Sequence, residues 1–208
     1  MMRQMRVAAL AALLVLAGCG QAKPLTMQAS GATTTAAQAS LLAQRKAAGI
    51  PACPASDPSA QQVAGGLPAT VFDCLGGDST VNLAGLHTGK PIVLNFWAQW
   101  CGPCRLEGPV LGKVYAKAKA KGSVTMLGMM EVEPAPDAAI EVARQDGMLY
   151  PMMVDPEGKA RTALKVTALP QTLFISADGT VVKRVVAPFE STQQLESTIQ
   201  QVFGISLG

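Results

Sequence analysis

The stretch Pro91-Ile-Val-Leu-Asn-Phe-Trp-Ala-Gln-Trp-Cys-Gly-Pro-Cys104 decides the fold. Pro91 to Trp97 is an apolar run with the length and β-branched content of a buried strand. Beyond the two cysteines, Leu106, Val110, Val114 and Ala118 recur at helical spacing, with Lys113, Lys117 and Lys121 between them. That spacing predicts an amphipathic helix. Cys101 therefore falls at a helix N-terminus, where unpaired N–H groups and the macrodipole stabilise a thiolate. Cys104 lies one turn further in, placed to attack a mixed disulfide formed at Cys101. The two form a redox pair, with Cys101 the partly exposed nucleophile and Cys104 the resolving thiol. Gly102 and Pro103 set the turn and the first helical position, where a missing N–H costs nothing. Trp100 reads equally as an apolar contact surface beside the pair or as simple packing. Trp97 belongs in the core.

The N-terminal residues carry a different signal. Arg3 and Arg6 precede an apolar stretch, Val7 to Ala17, that is too short to span a bilayer as a mature helix. It ends in Leu16-Ala17-Gly18-Cys19, which resembles the bacterial lipobox. The resemblance implies a signal peptide over residues 1–18, cleavage before Cys19, and a lipid on that cysteine. The mature chain would be tethered to the membrane outside the cytoplasm. Residues 19–50 then read as a flexible tether: Gln21 to Ala36 is rich in Ala, Gln, Ser and Thr and cannot bury a core. A short helix over Ala37–Ala48 fits the pattern around Leu41, Leu42, Gln44 and Arg45. Cleavage also changes the charge balance. The chain has 17 Lys and Arg against 14 Asp and Glu; Arg3 and Arg6 leave and no acid does, so 15 basic side chains face 14 acidic ones. No basic stripe with interleaved aromatics remains, which argues against nucleic acid as a partner.

The five cysteines divide into Cys19, the pair Cys101 and Cys104, and a remaining pair, Cys53 and Cys74. An oxidising compartment permits that last pair to form a structural disulfide. Such a closure stabilises by about 3 kcal/mol in the loop-entropy account. The alternative is a second redox or metal pair, but with a single histidine and no CxxC spacing a zinc site is poorly supported. No metal is expected.

Residues 51–208 suit one domain. Ala69–Leu75 and Thr80–Leu83, around Gly76-Gly77-Asp78, predict a hairpin. Val124–Met130 reads as a central strand, Asp137–Asp146 as a helix stopped by Gly147, Tyr150–Asp155 as a short strand and Gly158–Lys165 as a short helix. Leu173–Ser176 and Val181–Val186 form a second hairpin, and Leu195, Ile199 and Val202 give a closing helix its buried face. Strands alternating with helices argue for an α/β domain whose central mixed sheet is flanked by helices on both faces.

Phe96 to Arg105 resembles the active-site segment of thioredoxins. Leu169-Pro170-Gln171-Thr172-Leu173-Phe174-Ile175, followed by Asp178-Gly179, resembles that superfamily's cis-proline strand. The hairpin ahead of Pro91, the strand–helix insertion between Val124 and Gly147, and the lipobox narrow the likeness to the membrane-anchored TlpA/ResA-type thiol–disulfide oxidoreductases. The resemblance implies a thioredoxin-like fold with an N-terminal β-hairpin extension and a central strand–helix insertion. It implies protein thiol and disulfide substrates, a membrane electron relay of the DsbD type as reductant, and apocytochrome c as a client. No cofactor is implied beyond the Cys101–Cys104 disulfide itself. It makes Leu169–Pro170 a cis bond facing the cysteines, with Leu169 offering backbone groups to an extended client, and it gives Pro109 a kink in the helix.

One departure matters. Thioredoxin-type sequences often carry a buried acid six residues before the first cysteine, where this chain has Asn95, and an amide cannot accept a proton. ResA-like proteins are expected to supply a glutamate after the inserted strand, which points to Glu133, with Glu131 second. The alternative for both is a solvated surface acid. His87 reads as an exposed loop residue. Met126, Met129, Met130, Met148, Met152 and Met153 invite a copper reading, yet their place in apolar runs favours core packing. Copper proteins of this superfamily pair a wider cysteine spacing with a distant histidine, and the Pro…Thr…Cys pattern of peroxiredoxins is missing before Cys101. The Gly-Pro between the cysteines resembles reducing thioredoxins, and a disulfide-donating oxidase is the rival direction.

Overall fold

The computed structural model describes residues 35–86 and 88–208. The expected signal peptide, the expected lipid site Cys19, the first part of the expected tether and His87 lie outside the described residues. Seven strands form one sheet: β1 Val71–Cys74, β2 Thr80–Asn82, β3 Ile92–Trp97, β4 Thr125–Glu131, β5 Met152–Asp155, β6 Gln171–Ile175 and β7 Val181–Val185. Five helices accompany them: α1 Ala36–Ala47, α2 Gly102–Lys121, α3 Pro136–Asp146, α4 Lys159–Ala163 and α5 Thr192–Phe203. The strand order is β2-β1-β5-β4-β3-β6-β7. β3, β4 and β5 are parallel, and β6, β7, β1 and β2 join antiparallel. The expected mixed sheet, the hairpin extension (β1–β2) and the strand–helix insertion (β4–α3) are all present.

Burial explains why β3 is central. Every residue from Ile92 to Trp97 is buried, as expected for a strand covered on both faces. Ile92, Leu94 and Phe96 point into one apolar cluster, together with Phe72, Val81, Leu83, Leu127, Met129, Leu164 and Leu173. Val93 and Trp97 point into the other, which holds Leu111, Val114, Ile140, Ala143, Leu195 and Ile199 from α2, α3 and α5. α5 docks through two fully buried side chains in all, Leu195 and Ile199. The methionines singled out from the sequence sit in these two clusters, 0–3% exposed, where a flexible thioether fills irregular gaps.

Two sequence expectations change. Within the stretch 19–50 that reads as a tether, the short helix expected over Ala37–Ala48 is present as α1, Ala36–Ala47, and it is docked rather than loose. Thr35 caps α1 with its side chain and Gln38 completes a capping box, and the helix docks through Arg45, only 2% exposed. Both terminal nitrogens of Arg45 reach the Asp78 carboxylate at 2.8 Å, and Nη1 also donates to the Leu75 carbonyl at 2.8 Å. A bidentate guanidinium–carboxylate pair of this kind fixes orientation as well as position.

The second change is the phase of α2. Its inward stripe is Cys104, Glu107, Gly108, Leu111, Val114 and Ala118, whereas Leu106 is 80% exposed. Cys104 sets the phase: once its sulfur faces inward, positions three, seven, ten and fourteen residues later follow it. Leu106 belongs to the opposite face despite its apolar side chain.

Candidate active site

The parallel strands β3, β4 and β5 end on the same side of the sheet, since Trp97 pairs with Met130 and Glu131 with Asp155. That end collects the residues of interest. After β3 the chain turns, with the Cys101 N–H donating to the Ala98 carbonyl at 3.1 Å, and α2 begins. Cys101 is the N-cap: its backbone is extended, and its sulfur accepts the N–H of Cys104 at 3.2 Å. Pro103 stands in the first turn. Cys101 and Cys104 are joined as a disulfide. Cys101 is 6% exposed and Cys104 1%. The first sulfur is thus less open than expected, because it is bonded to Cys104 and lies in the apolar cluster under α2. A Cβ built at Gly102, between the two cysteines, would meet nothing within 4 Å.

Pro170 reaches the same end from β6. Asn95 pairs with Thr172 and Phe96 with Gln171, so the next position places Pro170 opposite Trp97. The Leu169–Pro170 bond is cis. Trp100 is half exposed and its indole N–H donates to the Val132 carbonyl at 3.2 Å. Val132 holds φ +46°, a conformation that a β-branched residue rarely adopts. With Leu106, these two give the rim around the pair an exposed apolar character.

Three glutamates surround this end, and they differ. Glu133, the sequence candidate, accepts the Gln99 N–H at 2.6 Å and the Ala135 N–H at 3.0 Å. Both its oxygens hold backbone, and one of those amides belongs to the turn leading into Cys101. Glu131 is fully buried on the sheet face that carries α4 and takes Arg161 Nε at 3.1 Å. Burial, then the nearby Asp155 carboxylate, pushes it up to about 7, against the pull of Arg161.

Glu107 is the residue that sequence reasoning missed. It is fully buried, three positions after Cys104 on the same face of α2, a spacing that brings side chains within about 5–6 Å of one another at Cβ. Its partners are neutral: the Phe189 N–H at 3.1 Å and the Asn95 amide at 3.3 Å. Burial pushes its carboxyl up to about 7, the two hydrogen bonds opposing. Asn95, which also donates to Thr172 Oγ1 at 3.1 Å, thus does not leave the site without an acid. It holds one supplied by the helix. The signal was available in the helical period counted from Cys104.

Away from this end, Cys53 and Cys74 are joined as a disulfide across 21 residues of chain. Among the described residues, no group of three or more His, Cys, Asp or Glu is arranged to hold a metal ion, and no helix is long and apolar enough to cross a membrane.

Residues 54–202 match the Redoxin family. The chain belongs to that family. Among curated relatives, this redoxin is 31% identical over 114 residues to the thiol-disulfide oxidoreductase ResA of Bacillus cereus, an alignment spanning 55% of this chain and 64% of the relative. It is 30% identical over 125 residues to ResA of Oceanobacillus iheyensis, spanning 60% and 62%. It therefore covers a little under two thirds of these relatives. A solved structure of a secreted disulfide oxidoreductase from Mycobacterium tuberculosis, homologous to DsbE of Escherichia coli, superposes with a TM-score of 0.53 at 26% identity, covering 66% of this chain and 96% of that one. A secreted thiol-disulfide isomerase from Corynebacterium glutamicum shares the fold, with a TM-score of 0.56 at 23% identity over 65% of this redoxin and 81% of that chain.

Proposed function

We propose that this redoxin is an extracytoplasmic thiol–disulfide oxidoreductase that reduces disulfides in protein clients. The observation that carries the reading is the placement of two sulfurs and one acid on the first turns of α2. Cys101 caps the helix with the Cys104 N–H on its sulfur, and Glu107 lies one turn further along the inward face. In the dithiol form, helix N–H groups stabilise the Cys101 thiolate. It attacks one sulfur of the client disulfide, forming a mixed disulfide and releasing the other client sulfur as a thiolate. Cys104 gives its proton to the Glu107 carboxylate and attacks the Cys101 sulfur, which restores the Cys101–Cys104 disulfide and frees the second client thiol. Two electrons pass to the client and no further cofactor is needed.

Pro170, Leu169 and Trp100 act in this reading as the client-facing wall, with Leu169 offering backbone groups to an extended segment. Gly102 and Pro103 shape the helix start. Glu133 is a positioning residue that holds the turn through Gln99. The secreted relatives and the lipobox-like Leu16–Cys19 support export, with Cys19 lipidated and the protein held at the membrane. A relay of the DsbD type would then regenerate the dithiol, with apocytochrome c among the clients, and the Gly-Pro dipeptide supports the reducing direction.

Reduction of insulin by dithiothreitol tests the chemistry. Wild type should accelerate it, Cys101→Ala should not, and Cys104→Ser should accumulate a client adduct on Cys101. Acceleration by Cys101→Ala would overturn the reading. Direction follows from the potential of the pair: a value near the roughly −270 mV of thioredoxin makes it a reductase, and one near the roughly −120 mV of DsbA makes it a disulfide donor.

A further inference from the structure

The second disulfide is asymmetric in a way that a plain staple does not need. Cys74 is completely buried, whereas Cys53 is partly exposed. Two donors lie at the buried sulfur: the Cys53 backbone N–H at 3.1 Å and, at 3.4 Å, the guanidinium Nη1 of Arg45, whose N–H groups are shared with shorter bonds to Leu75 and Asp78. A neutral disulfide sulfur gains little from such donors, but a thiolate gains much, because hydrogen bonds to an ionised acceptor are about twice as strong as neutral ones. The exposed sulfur has the opposite environment. Its nearest polar neighbour is the Met152 carbonyl, 3.2 Å away, an acceptor that serves a protonated thiol and offers nothing to a disulfide. Both halves of the bridge are thus furnished for the state in which the bond is broken.

We infer that Cys53–Cys74 is a second thiol-exchange site, entered at Cys53, with Cys74 as the leaving sulfur and a dithiol as the reductant. A thiolate of the reductant attacks Cys53, forming a mixed disulfide as the Cys53–Cys74 bond breaks. The electron pair goes to Cys74, whose thiolate is received by Arg45 and the Cys53 N–H. The second thiol of the reductant loses its proton and attacks the first, closing the reductant's own disulfide and releasing Cys53. Cys53 takes up the proton lost by that second thiol, and its S–H donates a hydrogen bond to the Met152 carbonyl. The dithiol is oxidised by two electrons and the bridge is reduced by two. Attack in the other sense is blocked, since Cys74 has no exposed surface. Because Arg45 also anchors α1 to Asp78, the same side chain reads the redox state of the bridge and holds the helix beside it.

The site stands independently of the chemistry proposed for Cys101 and Cys104, and the test removes that pair. The full chain carrying C101S and C104S is exposed to glutathione under native conditions, quenched with acid and mapped by mass spectrometry. The glutathione adduct is expected on Cys53. An adduct on Cys74, or none until the fold is lost as followed by circular dichroism, would overturn the inference. In the same background, R45Q should slow reduction by dithiothreitol about tenfold, the loss expected when a charged hydrogen bond to the leaving thiolate is removed, and R45K should recover part of the rate. A merely structural arginine predicts the reverse: R45Q would loosen the bridge and speed its reduction. Should R45Q fail to fold, the adduct map decides alone.

Discussion

Two buried glutamates at the same end of the sheet lie on opposite faces, and their surroundings differ in kind. Glu107, on the α2 face, meets only neutral donors. Glu131, on the α4 face, meets a guanidinium and a second carboxylate, and Asp155 in turn spends its oxygens on the Lys159 and Ala160 amides that open α4. Both acids are pushed up to about 7. The value is therefore no guide to role. What separates them is company: among the described residues Glu107 bonds only neutral donors and lies one turn from Cys104, so in the proposed cycle it takes the proton that Cys104 gives up. An acid tied to Arg161 serves the junction of β4, β5 and α4.

The largest test of that contrast is on rate. Glu107→Gln should slow exchange at pH 7 by about 10²-fold, the usual scale for a positioned proton acceptor. The rise of the wild-type rate through about pH 7 should disappear, leaving only the rise set by the thiols. Glu131→Gln should leave the shape of that profile unchanged, and a matching change in both variants would erase the distinction.

Next in size is stability against pH. A carboxyl raised from 4.5 in the unfolded chain to about 7 in the folded one binds a proton more tightly when folded. Its favourable contribution is complete below about pH 4.5 and is lost as pH rises through 7, by on the order of 3 kcal/mol. Urea unfolding between pH 4.5 and 8 should show a fall that either Gln variant makes shallower. Arg161→Gln should have a smaller effect, about 1 kcal/mol, because the arginine is half exposed. The cost should appear above pH 7, where Glu131 is ionised, and vanish near pH 4. Smallest are the rim changes: Leu106→Ala and Trp100→Ala should alter stability by within about 0.5 kcal/mol while raising KM for a protein client a few-fold.

Much of this architecture was legible in the sequence because burial leaves a clear imprint on strands. The run of β3, apolar but for Asn95, and the two turn-marked hairpins needed no tertiary information. The phase of α2 did, at one point: Leu106 looks like a core residue and Glu107 like a surface one. Only the inward direction of Cys104 reverses them. Glu133 was picked for its position after the inserted strand, yet position along the chain does not reveal that both its oxygens hold amides. The docking of α1 was hidden for a related reason, since the contact is made by an arginine, a residue type whose burial depends on finding a carboxylate such as Asp78 that is far away in sequence.

That docking has a mechanical consequence. Force applied to the chain at Thr35 enters the body through α1, passes along the guanidinium to Asp78 at the β1–β2 turn, and meets a covalent cross-link at Cys74 before it can reach β3. Load entering at Thr35 therefore falls on the outer hairpin at the sheet's margin, at the opposite edge from β7, and not directly on the strand that leads to Cys101.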